Sequence, residues 1–150
     1  MDLLIRLYES AETSAAAVSD VRKPRAPEHD LVVAWIARHF TPGWASEARV
    51  ALGNRPVSLF IATSPEGLLG FCCYDATARG FIGPIGVAQQ ARGSGIGTAL
   101  LLACLHDMRT VGYGYAIVGG VGVPEFFHRA AGATEIEGST PGIYRGMLKS

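Results

Sequence analysis

The residues best equipped for chemistry lie between Val87 and Thr98. Gln90, Arg92, Gly93, Ser94, Gly95 and Gly97 separate an apolar, strand-like run ending at Val87 from an apolar helical pattern that includes Ile96. Glycines in such a turn let the main chain approach an anion closely, the first N–H groups of the helix lack partners, and its dipole adds positive potential. Arg92 adds a formal charge. The segment therefore reads as a phosphate cradle, and its spacing narrows which one. A dinucleotide site takes G-x-G-x-x-G, with an acid about twenty residues on. Here the third glycine is Gly97, one residue early, Thr98 stands in its place, and residues 111–120 contain no acid. A P-loop needs Gly-Lys followed by Ser or Thr, and no lysine occurs between Lys23 and Lys149.

Other chemistry-bearing residues are less well arranged. Cys104 and His106 are two positions apart in a helical pattern and do not share a face, so neither a metal pair nor a Cys-His nucleophile follows. Cys72 and Cys73 are adjacent in a strand-like run, where side chains alternate faces, and three cysteines form no disulfide framework. With no basic partner to lower a thiol pKa, they read as reduced packing residues. The 13 basic and 13 acidic residues cancel, which leaves no electrostatic footprint for nucleic acid or an anionic membrane. Ala99 to Leu105, the longest apolar run, falls well short of the roughly 18 residues of a transmembrane helix. The N-terminal residues lack the pattern of a secretory signal, so the expected location is cytoplasmic.

The elements that position the cradle follow from period and punctuation. The 150 residues suit one domain, long enough to bury roughly 70% of the surface its unfolded chain exposes. Leu3 to Tyr8 could be a strand, and residues 1–19 are read as an N-terminal arm or extra strand. Pro27, Glu28 and Asp30 suit a helix first turn, and Leu31, Val32, Trp35, Ile36 and His39 keep helical period. Thr41-Pro42 caps a second helix through Trp44, Glu47, Val50 and Ala51 to Gly53-Asn54. Val57 to Ala62, Leu68 to Tyr74 and Gly80 to Val87 form an antiparallel meander with a turn at Ser64-Pro65-Glu66-Gly67. In the third of these strands Gly83-Pro84 predicts a bulge or break, since proline removes a ladder donor. A helix over Thr98 to Arg109, a buried parallel strand over Tyr115 to Val118, a short helix from Pro124 to Ala131 and a terminal strand over Gly142 to Lys149 complete the expectation.

Gln90, Gly93 and Gly95 fit the pattern Q/R-x-x-G-x-G/A, and Arg92, Ile96 and Gly97 extend it to Arg-Gly-x-Gly-Ile-Gly. In this the stretch resembles the pyrophosphate-binding motif of the GNAT superfamily of acyl-CoA-dependent N-acetyltransferases. Tyr115 to Val118, Pro124 to Ala131 and Gly132-Ala133 resemble that family's next segment, so the likeness spans Val18 to Leu148. The resemblance implies an α/β (α+β) fold whose mixed, mostly antiparallel central sheet splays at the coenzyme site and is flanked by helices. It implies acetyl-CoA as cosubstrate, no metal, and an amine acceptor that balanced charge favours as a small molecule. It assigns donor binding to Val87, Gln90, Arg92, Gly93, Ser94, Gly95, Ile96, Gly97 and Thr98. A backbone N–H near Val87 would hold the oxyanion, and the gap opened at Gly83-Pro84 and Gly86 would take the pantetheine arm. A homodimer stays open.

Transfer to an amine also needs a base for the ammonium proton and an acid for the departing thiolate. The family often supplies the acid as a tyrosine in the short helix after the cradle's next strand, and none is present in Glu125 to Ala133. Counting back from Gly132 places His128 there, or Phe127 if the helix is longer, in which case Tyr144 or water must act and Phe127 lines the coenzyme. As base, Glu47 beside Trp44 is preferred over Asp75 and Glu125. Glu47 also reads as an ordinary first-turn helix residue, and Tyr144 as a half-buried strand aromatic. Without the tyrosine, a non-catalytic acyl-CoA-binding module is the alternative to an N-acetyltransferase working by direct attack through a tetrahedral intermediate.

Overall fold

A computed structural model describes residues 1–9 and 20–149, so the 10–19 part of the expected arm lies outside the described residues. The strands are β1 (Asp2–Arg6), β2 (Asp20–Arg22), β3 (Leu59–Ser64), β4 (Gly67–Tyr74), β5 (Phe81–Val87), β6 (Tyr115–Val118) and β7 (Thr134–Ile136). The α-helices are α1 (His29–His39), α2 (Pro42–Gly53), α3 (Ile96–Thr110) and α4 (Pro124–Ala131). One sheet runs in the order β2-β3-β4-β5-β6-β1-β7. Its neighbours are antiparallel except β5 and β6, which are parallel.

Strand alternation divides the core between the two faces of this sheet. Leu3, Ile5, Cys72 and Ile82 pack with Leu100, Leu101, Cys104 and Met108 of α3. On the other face Ile61, Phe71 and Cys73 pack with Val32 and Ile36 of α1 and Ala48 and Ala51 of α2. Cys72 and Cys73 thus point into different cores as free thiols, and burial pushes the Cys73 and Cys104 thiols up, away from reactivity. Each fully buried Leu, Ile or Phe contributes about 1.5–3 kcal/mol, which makes the two layers the principal source of stability.

Several local expectations need correction. Gly142–Lys149 is not a strand: Gly142–Tyr144 is a 3₁₀ turn, and left-handed glycines at Gly142 (φ 63°) and Gly146 (φ 75°) prevent an extended run. The sheet is completed instead by β7 and by β1, which lies between β6 and β7. At the N-terminus, where the sequence predicts an arm or an extra strand, Asp2–Arg6 forms a strand, and Leu3, Ile5 and Leu7 are buried within the α3-side core. α1 begins at His29 after a 3₁₀ turn over Ala26–Glu28. Leu31, assigned to its apolar face, points to solvent while Val33 is buried.

The meander matches closely, and its third strand positions the site. Cys72 pairs with Ile85 but Tyr74 with Ile82, so β5 carries one residue more than β4 across Gly83-Pro84. Gly83 adopts φ +119°, which a side chain would strain. β5 pairs with β6 only at Phe81 and Ile82. Beyond Ile82 the two strands separate, opening a gap along the rest of β5.

Candidate active site

β5 leads out of the sheet into the cradle. A 3₁₀ turn over Gln89–Ala91 and two left-handed glycines, Gly93 (φ 83°) and Gly95 (φ 84°), turn the chain into α3. Gly95 is the N-cap, so the first N–H groups of α3 have no partners within the helix. Ser94 Oγ donates to Ala91 O at 2.6 Å and Arg92 Nε to Val87 O at 3.2 Å, bracing the turn. The result is a cavity of about 340 Å³ lined by Val87, Arg92, Gly93, Gly95, Ile96, Gly97 and Thr98, with Phe126 and Arg129 from α4. Two guanidinium groups and a helix N-terminus fit a multiply charged phosphate. Gln90 and Ser94 are exposed beside it and do not line the cavity.

α4 settles which aromatic faces the cradle. Phe127 is turned into the α3-side core at 9% exposure, while the Phe126 ring lies against Gly97, where a Cβ would sit 3.6 Å from it. At about 100° per residue, burying Phe127 swings Phe126 and Arg129 to one flank and His128 to the other. Neither Phe126 nor Arg129 was singled out in the sequence. Their signal was this i, i+3 pairing, readable only once the buried position of the helix is known.

A second cavity, of about 420 Å³, occupies the gap between β5 and β6. Ile82 to Ile85 form one wall and Val118 to Gly122 the other; Trp44, Glu47, Thr77 and Tyr144 complete it. Glu47 and Tyr144, ninety-seven positions apart in the numbering, are thereby brought together. Trp44 N donates to the Thr41 cap at 3.0 Å, which fixes the first turn of α2 and the direction of both Trp44 and Glu47. The Thr77 hydroxyl donates to Glu47 Oε1. The Tyr144 ring packs over Gly119 and Gly120, and a Cβ on Gly119 would lie 2.7 Å from its hydroxyl. Burial first, then the charges of Glu47 and Asp2, pushes the Tyr144 phenol up, so it stays protonated at neutral pH.

The strand register also supplies a backbone donor. Ala88 N–H bonds Leu69 O on β4 at 2.7 Å and Gly70 faces Val87. Antiparallel alternation therefore directs the Val87 N–H away from β4, toward the gap. Gly86 has a different duty from the one expected of it. A Cβ there would meet the Phe40 ring at 2.6 Å, so this glycine admits the Phe40 side chain into the aromatic cluster with Trp44 and Phe71.

The remaining candidates fall elsewhere. His128 lines neither cavity, and its Nε2 is buried without a hydrogen-bond partner. Glu125 is exposed on α4. Asp75 organises a turn: at φ 53° it accepts from Gly80 N–H at 2.7 Å and from the Tyr113 hydroxyl at 2.8 Å. It lines a separate and larger cavity, of about 820 Å³, with Arg55, Arg79 and Tyr113. Thr77 carried no sequence signal, because its role comes from a turn that brings it against α2. Among the described residues, no group of three or more His, Cys, Asp or Glu could hold a metal ion. None of the described helices is long and apolar enough to cross a membrane.

Comparison with known proteins agrees with this geometry. Residues 18–132 match the model of the acetyltransferase (GNAT) family. Among solved structures, the chain is similar to a region described as a GCN5-related glucosamine N-acetyltransferase within a fungal multi-domain GH3 beta-N-acetylglucosaminidase. That match has 17% identity and a TM-score of 0.70, and covers 87% of this chain and 19% of the other. A GCN5-related N-acetyltransferase from Sphaerobacter thermophilus matches at 19% identity and TM-score 0.69, over 89% of this chain and 47% of that one. A GNAT family acetyltransferase from Brucella melitensis, solved in complex with acetyl-CoA, matches at 20% and 0.52, over 72% and 80%. The chain thus spans less than half the length of the first two, and identities this low show a shared fold. No curated protein matches.

Proposed function

We propose, from the premise that this chain belongs to the acetyltransferase (GNAT) family of acetyl-CoA-dependent acyltransferases, that it moves an acetyl group from acetyl-CoA to a small primary amine. The observation that carries the proposal is the shared strand. β5 ends in the phosphate cradle and, two residues earlier, borders a gap that holds Glu47 and Tyr144. A pyrophosphate seated on the N–H groups of α3, between Arg92 and Arg129, directs the pantetheine arm along the open side of β5 toward those two groups.

The cleft suits an amine. Among its described lining residues Glu47 carries the only formal charge, and beside Trp44 it forms an aromatic and anionic surface that attracts an ammonium group. Glu47 removes a proton so that the neutral amine attacks directly. The Val87 N–H faces the place where negative charge develops on the carbonyl oxygen of the tetrahedral intermediate, an interaction worth about 10²–10³ in rate at comparable sites. Tyr144, protonated and packed against Gly119, gives its proton to the departing thiolate, the duty that His128 held on sequence spacing.

Turnover with a panel of amines, read as free thiol released from acetyl-CoA, tests this. Release with a small cationic amine and none without it is the expected result. Tight binding of coenzyme A with no release from any acceptor supports the alternative, an acyl-CoA-binding module of the same fold.

A further inference from the structure

Thr77 joins the two groups to which transfer assigns opposite proton duties. It lies in the turn between β4 and β5, where Asp75 accepts the Gly80 N–H at 2.7 Å and Phe81 N–H bonds Ala78 O at 3.1 Å. Those bonds hold its hydroxyl in the cleft between α2 and the C-terminal turn. It donates to Glu47 Oε1 and lines the same cavity as Tyr144, close enough to the phenol to lower its pKa. A hydroxyl is donor and acceptor at once, so it can pass one proton on while taking up another.

We infer that Thr77 is a positioning residue that closes the proton cycle, returning to Tyr144 the proton that Glu47 has taken from the amine. The inference rests on the acetyl-transfer reading above. After one transfer Glu47 is a neutral carboxylic acid and Tyr144 a phenolate. The Glu47 O–H bond breaks as its proton goes to Thr77 Oγ, and the Thr77 proton leaves to form the Tyr144 O–H bond. Both groups return to their starting states: one proton has moved from the amine nitrogen to the thiol sulfur, and the second proton that an ammonium sheds in becoming an amide leaves to solvent.

Electrostatics favour the order of events. The charged groups that face the phenol are Glu47 from α2 and Asp2 from β1, and both raise its pKa, whereas the Thr77 contact lowers it. While Glu47 is ionised, Tyr144 holds its proton. Once Glu47 is neutral, one of those two charges has vanished and the phenol becomes the stronger acid, at the step where the thiolate needs a proton.

The test uses Thr77→Val, which removes the hydroxyl at nearly constant shape, and Thr77→Ser, which keeps it. Phenolate absorbance, measured as a difference against Tyr144→Phe, should show Tyr144 ionising at higher pH in Thr77→Val and at the wild-type pH in Thr77→Ser. With an accepted amine, Thr77→Val should lower kcat by about tenfold or more, a part of the 10²–10⁴-fold typical of acid–base assistance, with the KM for acetyl-CoA unchanged, and Thr77→Ser should restore it. A proton inventory that bends in the wild type should become linear in Thr77→Val. An unmoved Tyr144 titration, or a shifted one with wild-type kcat, overturns the relay, as does a folded Thr77→Ser that behaves like Thr77→Val. If no amine is acetylated, the transfer reading fails, and the titration still decides whether Thr77 couples the phenol to the carboxylate.

Discussion

At the residue scale, the cradle was legible in the sequence because each of its requirements is local. Gly93 and Gly95 are needed at positive φ, and the unpaired N–H groups belong to the helix that follows them directly. Gly95→Glu combines a strained left-handed side chain with a negative charge at the mouth of the proposed pyrophosphate site. It should reduce acetyl-CoA affinity by about 100-fold or more, equivalent to two steps of 1.4 kcal/mol. Calorimetry on the folded variant checks this, and wild-type affinity contradicts the assignment of the cradle. The proposed proton donor was only partly legible: Tyr144 is among the sequence candidates, but no local pattern distinguishes it from a strand aromatic until its turn is seen against Gly119. Sequence spacing favoured His128, which sits on the opposite flank of α4 from Phe126 and Arg129. Tyr144→Phe should therefore lower kcat by about 10² or more, while His128→Ala leaves kcat near the wild-type value. Steady-state rates at saturating acetyl-CoA compare the two, and the reverse ranking returns the acid to α4.

At the element scale, strands and helices with strong punctuation were readable and elements made by distant pairing were not. Gly83-Pro84 announced the bulge in β5, and Thr41-Pro42 announced α2. β7, three residues long, exists by pairing with β1, and β1, which the sequence offers as a possible strand over Leu3 to Tyr8, takes its place by pairing with β6 and β7, a placement that no window of sequence shows. The edge strand β2 has a similar dependence. Arg22 meets Glu28, just before α1, through two 2.8 Å bonds, and Glu28 also accepts the Arg25 N–H at 2.7 Å. The Arg22 bond first, then the Arg25 N–H, lowers the Glu28 carboxyl from 4.5 to about 2. A depressed carboxyl stabilises the fold above its unfolded pKa and loses that contribution as pH falls through the folded value. The pair is solvent-exposed, so its effect on global stability is small, but local protection should respond. Hydrogen exchange of the β2 amides should quicken relative to central β4 as pH drops from about 4.5 to 2, after correction for intrinsic rates. Glu28→Gln should show the quickened rate already at neutral pH; equal protection in both proteins throughout would contradict the tether.

At the scale of the whole molecule, β1 links the wall of the cleft between β5 and β6 to the rest of the sheet. Asp2 is 6% exposed, and its Oδ1 accepts the Gly120 N–H at 3.0 Å. Its own N–H donates to Ser139 Oγ at 2.7 Å, and its Oδ2 lies where a Cβ on Gly142 would come within 3.0 Å. One residue thus joins the loop after β6, the segment after β7 and the turn that carries Tyr144. Sequence separations of 118 and 137 explain why the residue was passed over. Asp2→Ala leaves the Gly120 N–H without its acceptor, and loss of this part-buried bond costs about 0.5–1.5 kcal/mol. That loss should appear as a lower denaturant midpoint with an unchanged slope, the sign of lost stability rather than a changed unfolded state. Because the same bonds fix the surface on which the Tyr144 ring rests, kcat should fall with the midpoint while acetyl-CoA affinity, set at the far end of β5, holds. Asp2→Asn keeps an acceptor oxygen, so it should recover most of the stability. It also removes one of the two charges that hold the phenol up, so Tyr144 should ionise at a lower pH than in the wild type. An Asp2→Asn variant with wild-type stability and an unmoved Tyr144 titration would show that Asp2 acts on the fold alone, and would separate the mechanical role of β1 from its electrostatic one.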